Sequence, residues 1–301
     1  MKTETDRTIA SRAINANRLD FNVLEAGTGD PLLLLHGFPD HAGTWRALME
    51  NLASGYHVIA PDQRGYNLTS RPESVDAYRT DLLVQDMLAL LDAMGLQRVA
   101  VCGHDWGGII ALHLAMKHPE RVSKLIALNS VHPYIFQDRI WDDLEQRAAS
   151  QYFRQMQNGN PPAVFSEANC GTLLEQWFST PRAAGLMSAD DVEGSRDAWT
   201  RPGVWNAMIN WYRASGYDIP PPNEAAPQTR WTRDMDYNIS QPTMVIWGED
   251  DRVFVRGMTT DLEAHAKNLT ILWLKGVGHA PHRHALDKCT KAISTFLAGT
   301  A

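Results

Sequence analysis

Residues 101–115, VCGHDWGGIIALHLA, place an aspartate where a nucleophile could be held. The apolar run before Gly103 predicts a buried strand, and the apolar residues after Gly107 predict a helix. The turn between them is so tight that only small residues fit two positions before and two positions after its apex, which is Asp105. The helix would direct its N-terminal N–H groups and the positive end of its dipole at the carboxylate. Asp105 is therefore a candidate nucleophile, and a helix N-cap is the alternative that this motif alone leaves open.

Three further segments end predicted strands with groups that could serve such a nucleophile. Residues 36–40, HGFPD, can present the backbone N–H of Phe38, together with that of Trp106, as two donors for an oxyanion. Residues 247–251, WGEDD, bring carboxylates to the end of a later strand, and a final strand is followed by His279. Because the carboxyl ends of parallel strands meet at one edge of a sheet, we expect a nucleophile, an acid and a histidine to converge there.

The apolar runs around these segments predict a sheet that is covered by helices on both faces. Runs that are apolar throughout are typical of parallel strands buried on both sides. Helical spacing of apolar residues is clearest over residues 80–95, and we expect further helices at residues 261–268 and 285–297. The predicted parallel strands lie at residues 31–37, 57–62, 98–103, 124–129, 243–248 and 271–276, with a leading antiparallel strand at 20–27. This alternation predicts an α/β protein with a mostly parallel, doubly wound sheet.

The alternation stops near residue 131 and resumes near residue 241. We therefore predict a core in two parts, residues 1–131 and 241–301, and a mainly helical cap over residues 132–240. A proline-rich segment at residues 219–227 predicts irregular backbone within the cap. Aromatic residues line apolar pockets and pack ordinary cores equally often, so both interpretations stay open for those in the cap. They are Tyr134, Trp141, Tyr152, Trp177, Trp199, Trp205, Trp211, Tyr212, Tyr217, Trp231 and Tyr237.

Composition argues against several classes of function. The 301 residues carry 28 Lys and Arg against 35 Asp and Glu, a formal net charge of -7, and lack the basic cluster that nucleic-acid binding needs. The first twenty residues contain no apolar signal segment, and the longest apolar stretch is interrupted by His104 and Asp105. The three cysteines are isolated. We expect a cytoplasmic protein without metal, cofactor, nucleic-acid or membrane partner, whose partners are a small molecule and water; the sequence leaves a homodimer open.

The motifs resemble those of the epoxide hydrolases of the α/β-hydrolase superfamily, over nearly the whole chain. HGFP at residues 36–39 resembles the HGxP motif of that family, and GHDWGG at residues 103–108 resembles its nucleophile motif. The chain order of nucleophile, acid and histidine is that of the superfamily. The resemblance implies an α/β-hydrolase fold with a cap, with Asp105 as nucleophile and His279 as base.

The resemblance also selects the acid and two proton donors. The GxxD spacing of the family, counted from Gly248, selects Asp251 over the neighbouring Glu249 and Asp250, and the alternative acid position of some relatives holds Asn129 instead. In the cap, QYFRQM at residues 151–156 and NWYRAS at residues 210–215 resemble segments that carry the two tyrosines of epoxide hydrolases. These segments nominate Tyr152 and Tyr212.

An aspartate nucleophile suits displacement at saturated carbon. The attack gives an alkyl ester of the enzyme, which water activated by His279 can hydrolyse at the ester carbonyl. An epoxide oxygen leaves as an alkoxide whose conjugate acid has a pKa of about 16, so a tyrosine with a pKa of about 10 assists it by donating a proton. We therefore expect an epoxide hydrolase that forms a vicinal diol, with Phe38 and Trp106 also contacting substrate.

Two alternatives follow from the same residues. Haloalkane dehalogenases resemble the chain at Asp105 and Trp106, but many carry Asn where Phe38 stands, and fluoroacetate-type dehalogenases carry Arg in the place of Trp106. A ligand receptor on a hydrolase scaffold is an alternative of a different class, and it predicts an incomplete catalytic set.

Overall fold

The computed structural model of the chain describes residues 8–225 and 237–299 and contains, within them, one sheet of eight strands. In chain order the strands are β1 Ala10–Ala16, β2 Leu19–Ala26, β3 Asp30–Leu35, β4 Tyr56–Pro61, β5 Val99–His104, β6 Val122–Leu128, β7 Thr243–Gly248 and β8 Leu269–Leu274. Across the sheet they lie in the order β1-β2-β4-β3-β5-β6-β7-β8. The β1–β2 and β2–β4 pairs are antiparallel, and all neighbouring pairs from β4 to β8 are parallel. The predicted α/β class with a mostly parallel sheet is confirmed.

Helices cover the sheet and also form the long connection between β6 and β7. The helices of the sheet domain are α1 Arg46–Leu52, α2 Thr80–Ala93, α3 Trp106–Lys117, α10 Gly257–Thr260, α11 Pro281–His284 and α12 Leu286–Ala298. Those between β6 and β7 are α4 Pro133–Asp142, α5 Leu144–Ala149, α6 Gln151–Gln157, α7 Cys170–Ala183, α8 Ala189–Trp199 and α9 Val204–Arg213. Within the described residues, none of the helices combines the length and the apolar character that crossing a bilayer requires.

Strand β3 shows why the parallel strands read as unbroken apolar runs. Side chains alternate between the faces of a sheet, and here both faces are covered. Leu33 and Leu35 pack into the buried cluster that includes α2 and α3, whereas Leu32 and Leu34 pack into the cluster that includes α1 and α12. All four leucine side chains are fully buried. Packing on both faces therefore fixes the carboxyl end of the strand, and with it the start of the loop that follows.

Some sequence predictions need correction or lie outside the described residues. Strand β1 was not predicted, because five of its seven residues are exposed and carry little apolar signal. The helix predicted over residues 261–268 is wrong: a single 3-10 turn, Asp261–Ala264, is present, and β8 begins at Leu269. Trp231 and residues 226–227 of the proline-rich segment lie outside the described residues, while residues 219–225 are irregular. The division into core and cap at residues 131 and 241 stays a prediction.

Two indole groups join the β6–β7 connection to the sheet domain. Trp199, the last residue of α8, donates from Nε1 to the backbone oxygen of Pro39 at 2.6 Å. Trp211, in α9, donates from Nε1 to the backbone oxygen of Arg64 at 2.9 Å. Both indole side chains are buried, where an unpaired N–H would be costly. The bonds therefore fix α8 and α9 over the carboxyl edge of the sheet.

Candidate active site

Asp105 lies at the apex of the turn from β5 to α3, in a strained conformation. Its φ of 51° and ψ of -123° lie in a region that residues with a side chain rarely adopt. Although it occupies the N-cap position of α3, its carboxylate accepts no hydrogen bond from the helix. Instead, Asp105 Oδ1 accepts from the backbone N–H of Phe38 at 2.9 Å. The side chain is therefore held toward the HGFP loop, and the helix-cap alternative does not describe it.

The small residues of the motif permit this turn. A Cβ atom at Gly103 would collide with the backbone of Gly107, and a Cβ atom at Gly107 would collide with the backbone of Leu35 and His36. Strand β5 and helix α3 therefore approach each other at a distance that only glycine allows. This close approach brings the N-terminus of α3, which starts at Trp106, directly beneath the HGFP loop.

His279 bridges Asp105 and Asp251. Its Nδ1 lies 2.8 Å from Asp251 Oδ2, and its Nε2 lies 3.4 Å from Asp105 Oδ2. Asp251 follows β7, and its Oδ1 also accepts from the backbone N–H of Val253 at 2.7 Å. Of the two rival carboxylates, Glu249 pairs with an arginine instead and Asp250 is exposed. The geometry thus brings together the aspartate, histidine and acid that the resemblance selects.

Asn129, the residue at the alternative acid position, also belongs to this site, although its sequence context did not predict a role for it. It directly follows β6, and its Nδ2 donates to Asp251 Oδ2 at 2.7 Å, while its Oδ1 accepts from the backbone N–H of Gly248 at 2.7 Å. Asn129 therefore holds the carboxylate that holds His279. Its position directly after a parallel strand is the signal in the sequence that places it at this edge of the sheet.

The charges of the three groups favour an imidazolium between two carboxylates. Burial opposes ionisation of Asp105, but the hydrogen bond and charge of His279 outweigh it and lower the pKa of Asp105. The pKa of Asp251 is lowered in the same way, against the effect of burial, by the charge and hydrogen bond of His279. For His279, burial acts to lower the pKa, but the two carboxylates raise it to about 10. Asp105 is thus ionised at neutral pH.

Tyr152 and Tyr212 line the same cavity as Asp105 and His279. The cavity has a volume of about 390 Å³. Tyr152 comes from α6 and Tyr212 from α9, and their ring centroids lie 6.0 Å apart. Burial is the main cause that raises the pKa of each phenol, and the charge of Asp105 raises both further. Both phenols are therefore protonated at neutral pH and can donate.

Phe38 and Trp106 occupy different places around Asp105. Phe38 lines the cavity, and its ring packs edge-on against Tyr212 at 5.1 Å between centroids. The Trp106 side chain is buried and packs edge-on against Tyr212 at 5.3 Å, but it does not line the cavity. Trp106 is the first residue of α3, so its backbone N–H has no partner within the helix. The structure therefore places Phe38, and not the Trp106 ring, at the cavity wall.

Some aromatic residues of the β6–β7 connection line the cavity, and others pack in the core. Trp177 and Trp199 line the cavity, together with Phe165 and Phe178. By contrast, Trp141, Trp205 and Trp211 are buried and lie outside the cavity wall. The part of the cavity wall that this connection contributes is therefore largely aromatic, which favours a ligand with an apolar body.

Comparisons with known proteins agree with this architecture. The family model described as alpha/beta hydrolase fold matches residues 30–282. AB hydrolase superfamily protein YfhM of Bacillus subtilis is 34% identical over 271 residues, which cover 88% of this chain and 90% of that protein. Epoxide hydrolase 4 of Homo sapiens is 32% identical over 295 residues, which cover 94% of this chain and 77% of that protein. A solved structure of epoxide hydrolases from metagenomes of hot environments has a TM-score of 0.85 and 30% identity, covering 97% of this chain and 100% of that chain.

Proposed function

Because the chain belongs to the α/β-hydrolase family and, within it, to the epoxide hydrolases, we propose that it converts an epoxide to a vicinal diol through an ester on Asp105. One observation carries the proposal: a buried, ionised carboxylate and two protonated phenols line one cavity. A carboxylate that is already charged attacks without a base, and a phenol supplies the proton that an epoxide oxygen needs and a halide does not.

In the first half-reaction, Asp105 attacks a ring carbon of the epoxide. Oδ1 is held by the Phe38 N–H, so Oδ2 is the attacking oxygen. A bond forms between Oδ2 and the carbon while the bond from that carbon to the ring oxygen breaks. The oxygen takes a proton from Tyr152 or Tyr212, so it leaves as a hydroxyl group and not as an alkoxide. The product is a hydroxyalkyl ester of Asp105.

Formation of the ester prepares His279 for the second half-reaction. The charge of Asp105 is one of the causes that raise the pKa of His279, and the ester is uncharged. The imidazolium therefore releases its proton more readily once the ester has formed, whereas burial continues to disfavour its charge. The proton that leaves His279 returns through solvent to the tyrosine that protonated the ring oxygen, so that both groups are neutral before the second half-reaction.

In the second half-reaction, neutral His279 takes a proton from water, which attacks Cγ of Asp105. Negative charge grows on Oδ1, where the Phe38 N–H already points and where the free N–H of Trp106 is the second donor. The bond from Cγ to Oδ2 then breaks, and the diol leaves with Oδ2 after taking the proton from His279. The oxygen from water stays on Asp105, and the second proton of that water passes to His279, which restores the carboxylate and the imidazolium of the free enzyme. Asp251 orients the imidazole and stabilises its charge.

The test is to trap the ester in a His279→Ala variant. Incubation with an epoxide such as styrene oxide should add the mass of one substrate to the peptide that contains Asp105. Wild-type enzyme in one turnover in ¹⁸O-water should place the label in Asp105. His118→Ala, a change in a partly exposed histidine at the end of α3, should turn over normally without an adduct.

A panel of haloalkanes run beside the epoxides separates the leaving groups. An adduct with haloalkanes alone, with halide released and no diol formed, would replace the proposal by a dehalogenase. Binding of ligands from the panel without any adduct or turnover would replace it by a receptor.

A further inference from the structure

We propose that Trp199 is a positioning residue that aims the Phe38 N–H at Asp105 and thereby sets the rate at which the ester is hydrolysed. The inference rests on the proposed function and adds a residue of the β6–β7 connection to the second half-reaction. Trp199 touches neither Asp105 nor His279 through any hydrogen bond that the described residues show; it acts through the HGFP loop.

The contact is short and direct. Nε1 of Trp199 donates to the backbone oxygen of Pro39 at 2.6 Å, and the Trp199 side chain is 2% exposed. Pro39 directly follows Phe38, whose N–H donates to Asp105 Oδ1 at 2.9 Å. The loop turns tightly here, because the N–H of Asp40 donates to the backbone oxygen of Gly37 at 3.0 Å. A shift of Pro39 would therefore move the Phe38 N–H.

The sheet domain holds the two flanks of this turn, and Trp199 holds its middle. Before the turn, Gln63 Nε2 donates to the backbone oxygen of His36 at 2.6 Å. After it, Arg283 Nη2 donates to Asp40 Oδ1 at 2.6 Å. Pro39 has no backbone N–H to donate, so its backbone is held through its oxygen, which accepts the hydrogen bond from Trp199. The direction of the oxyanion donor thus depends on a side chain from α8.

Trp199 is itself held firmly and lines the cavity. Its ring stacks on Phe178 with 5.7 Å between centroids and packs against Trp177 and Trp205. Its backbone oxygen accepts from Trp205 Nε1 at 2.9 Å. The same indole therefore forms part of the wall that faces substrate and the brace of the oxyanion loop.

The two half-reactions differ in what they require of the Phe38 N–H. During attack on the epoxide, the charge on the carboxylate decreases, so a weaker hydrogen bond to Oδ1 does not slow this step. During hydrolysis, the charge on Oδ1 increases, and a donor that is fixed in advance lowers the barrier. Loss of the Trp199 N–H should therefore slow ester hydrolysis selectively.

The experiment compares Trp199→Phe with Trp141→Phe by rapid quench, with styrene oxide as substrate. Trp199→Phe keeps an aromatic ring and removes the N–H; we expect ester formation within threefold of wild type and ester hydrolysis slower by about 10-fold, since loss of an oxyanion donor itself costs about 10²–10³. The fraction of enzyme that carries the ester at steady state should rise. Trp141→Phe removes another buried indole N–H of the β6–β7 connection, whose bond ends on Asp218 and not on the HGFP loop, and it should keep the wild-type ratio of the two rates.

The outcomes separate this inference from the proposed function. A wild-type ratio of the two rates in Trp199→Phe, or an equal loss in both steps, would show a packing role alone and overturn the inference. Absence of any ester on Asp105 in the His279→Ala variant would overturn the proposed function itself. If Trp199→Phe does not fold, Trp199→benzothienylalanine, which keeps the bicyclic shape without an N–H, is measured in its place, with the same two outcomes.

Discussion

The two sides of the cavity are held in different ways. On the sheet side, Asp251 is fixed by bonds of 2.7 Å from Asn129, 2.7 Å from the Val253 N–H and 2.8 Å from His279. On the other side, Tyr212 packs among rings, such as that of Phe153 at 4.6 Å between centroids, and its hydroxyl hydrogen-bonds to the side chains of Trp106 and Tyr152. The sheet side carries charges that short hydrogen bonds orient, whereas the helical side carries neutral donors that are packed among aromatic rings. Damage to the two sides should therefore interrupt different steps of the reaction.

The largest expected effect comes from removal of the charge on the sheet side. Asp105→Asn leaves the elbow in place but gives a neutral side chain that cannot displace an epoxide oxygen. We expect kcat/KM for an epoxide to fall by about 10⁴-fold or more, as for other covalent nucleophiles. Asp250→Asn makes the same chemical change at an exposed position and should leave the rate unchanged. Retention of a few per cent of the activity in freshly prepared Asp105→Asn would contradict the covalent route.

Asp251→Asn should have the next largest effect, and it should separate ester formation from ester hydrolysis. It leaves the nucleophile charged but removes the charge that orients His279 and raises its pKa. We expect hydrolysis of the ester to slow by about 10²–10⁴-fold, with a smaller effect on ester formation. Quenched samples analysed by mass spectrometry should show the ester accumulating. Equal loss of both steps, without an ester, would mean that Asp251 serves the first step as well.

Changes on the helical side should slow ester formation and not ester hydrolysis. Tyr152→Phe and Tyr212→Phe each remove one phenol that can protonate the ring oxygen, and we expect ester formation to slow by about 10–10²-fold for each. No ester should accumulate, because hydrolysis does not use these phenols. Tyr217→Phe, at a buried tyrosine outside the cavity wall, is the matched control and should stay within threefold of wild type. Accumulated ester in either variant would contradict the division of roles.

The smallest effect concerns stability and follows from the charge on His279. Burial opposes that charge, but Asp251 and Asp105 raise the pKa from 6.5 to about 10. The stabilisation is therefore fully present below pH 6.5 and is lost as the pH rises through about 10. We expect the difference in free energy of unfolding between wild type and His279→Gln to shrink by on the order of 1 kcal/mol or more between pH 7 and pH 10.5, in urea titrations. A constant difference would mean a neutral imidazole in the free enzyme.

Much of the sheet side could be predicted from the sequence because each of its functional residues follows a strand. Apolar runs located β3 to β8 to within about two residues, and the residues after them converge because parallel strands end together. Strand β1 escaped prediction because most of its side chains are exposed. The place of Asn129 after a strand was predictable, but its role was not, because that role depends on Asp251, which lies 122 residues further on.

The helical side was less predictable, since its packing depends on tertiary contacts. The motifs around Tyr152 and Tyr212 located the two phenols, but aromatic content alone did not separate Trp199, at the cavity wall, from Trp205, outside it. The bond from Trp199 to Pro39 joins residues 160 positions apart and follows from no periodicity. The boundaries at residues 131 and 241, the cytoplasmic location and the open question of a homodimer stay predictions.

The position of Asn129 has a consequence for protein engineering. Helix α4 begins four residues after Asn129. The residue that holds Asp251 by a hydrogen bond therefore lies directly before the helical connection between β6 and β7. A chimaera that exchanges this connection between homologues would also replace Asn129, and with it the hydrogen bond to Asp251, if its first junction fell before that residue. A junction placed after Asn129 should change the part of the cavity wall that the connection contributes, while the contacts of His279 with Asp251 stay those of the recipient.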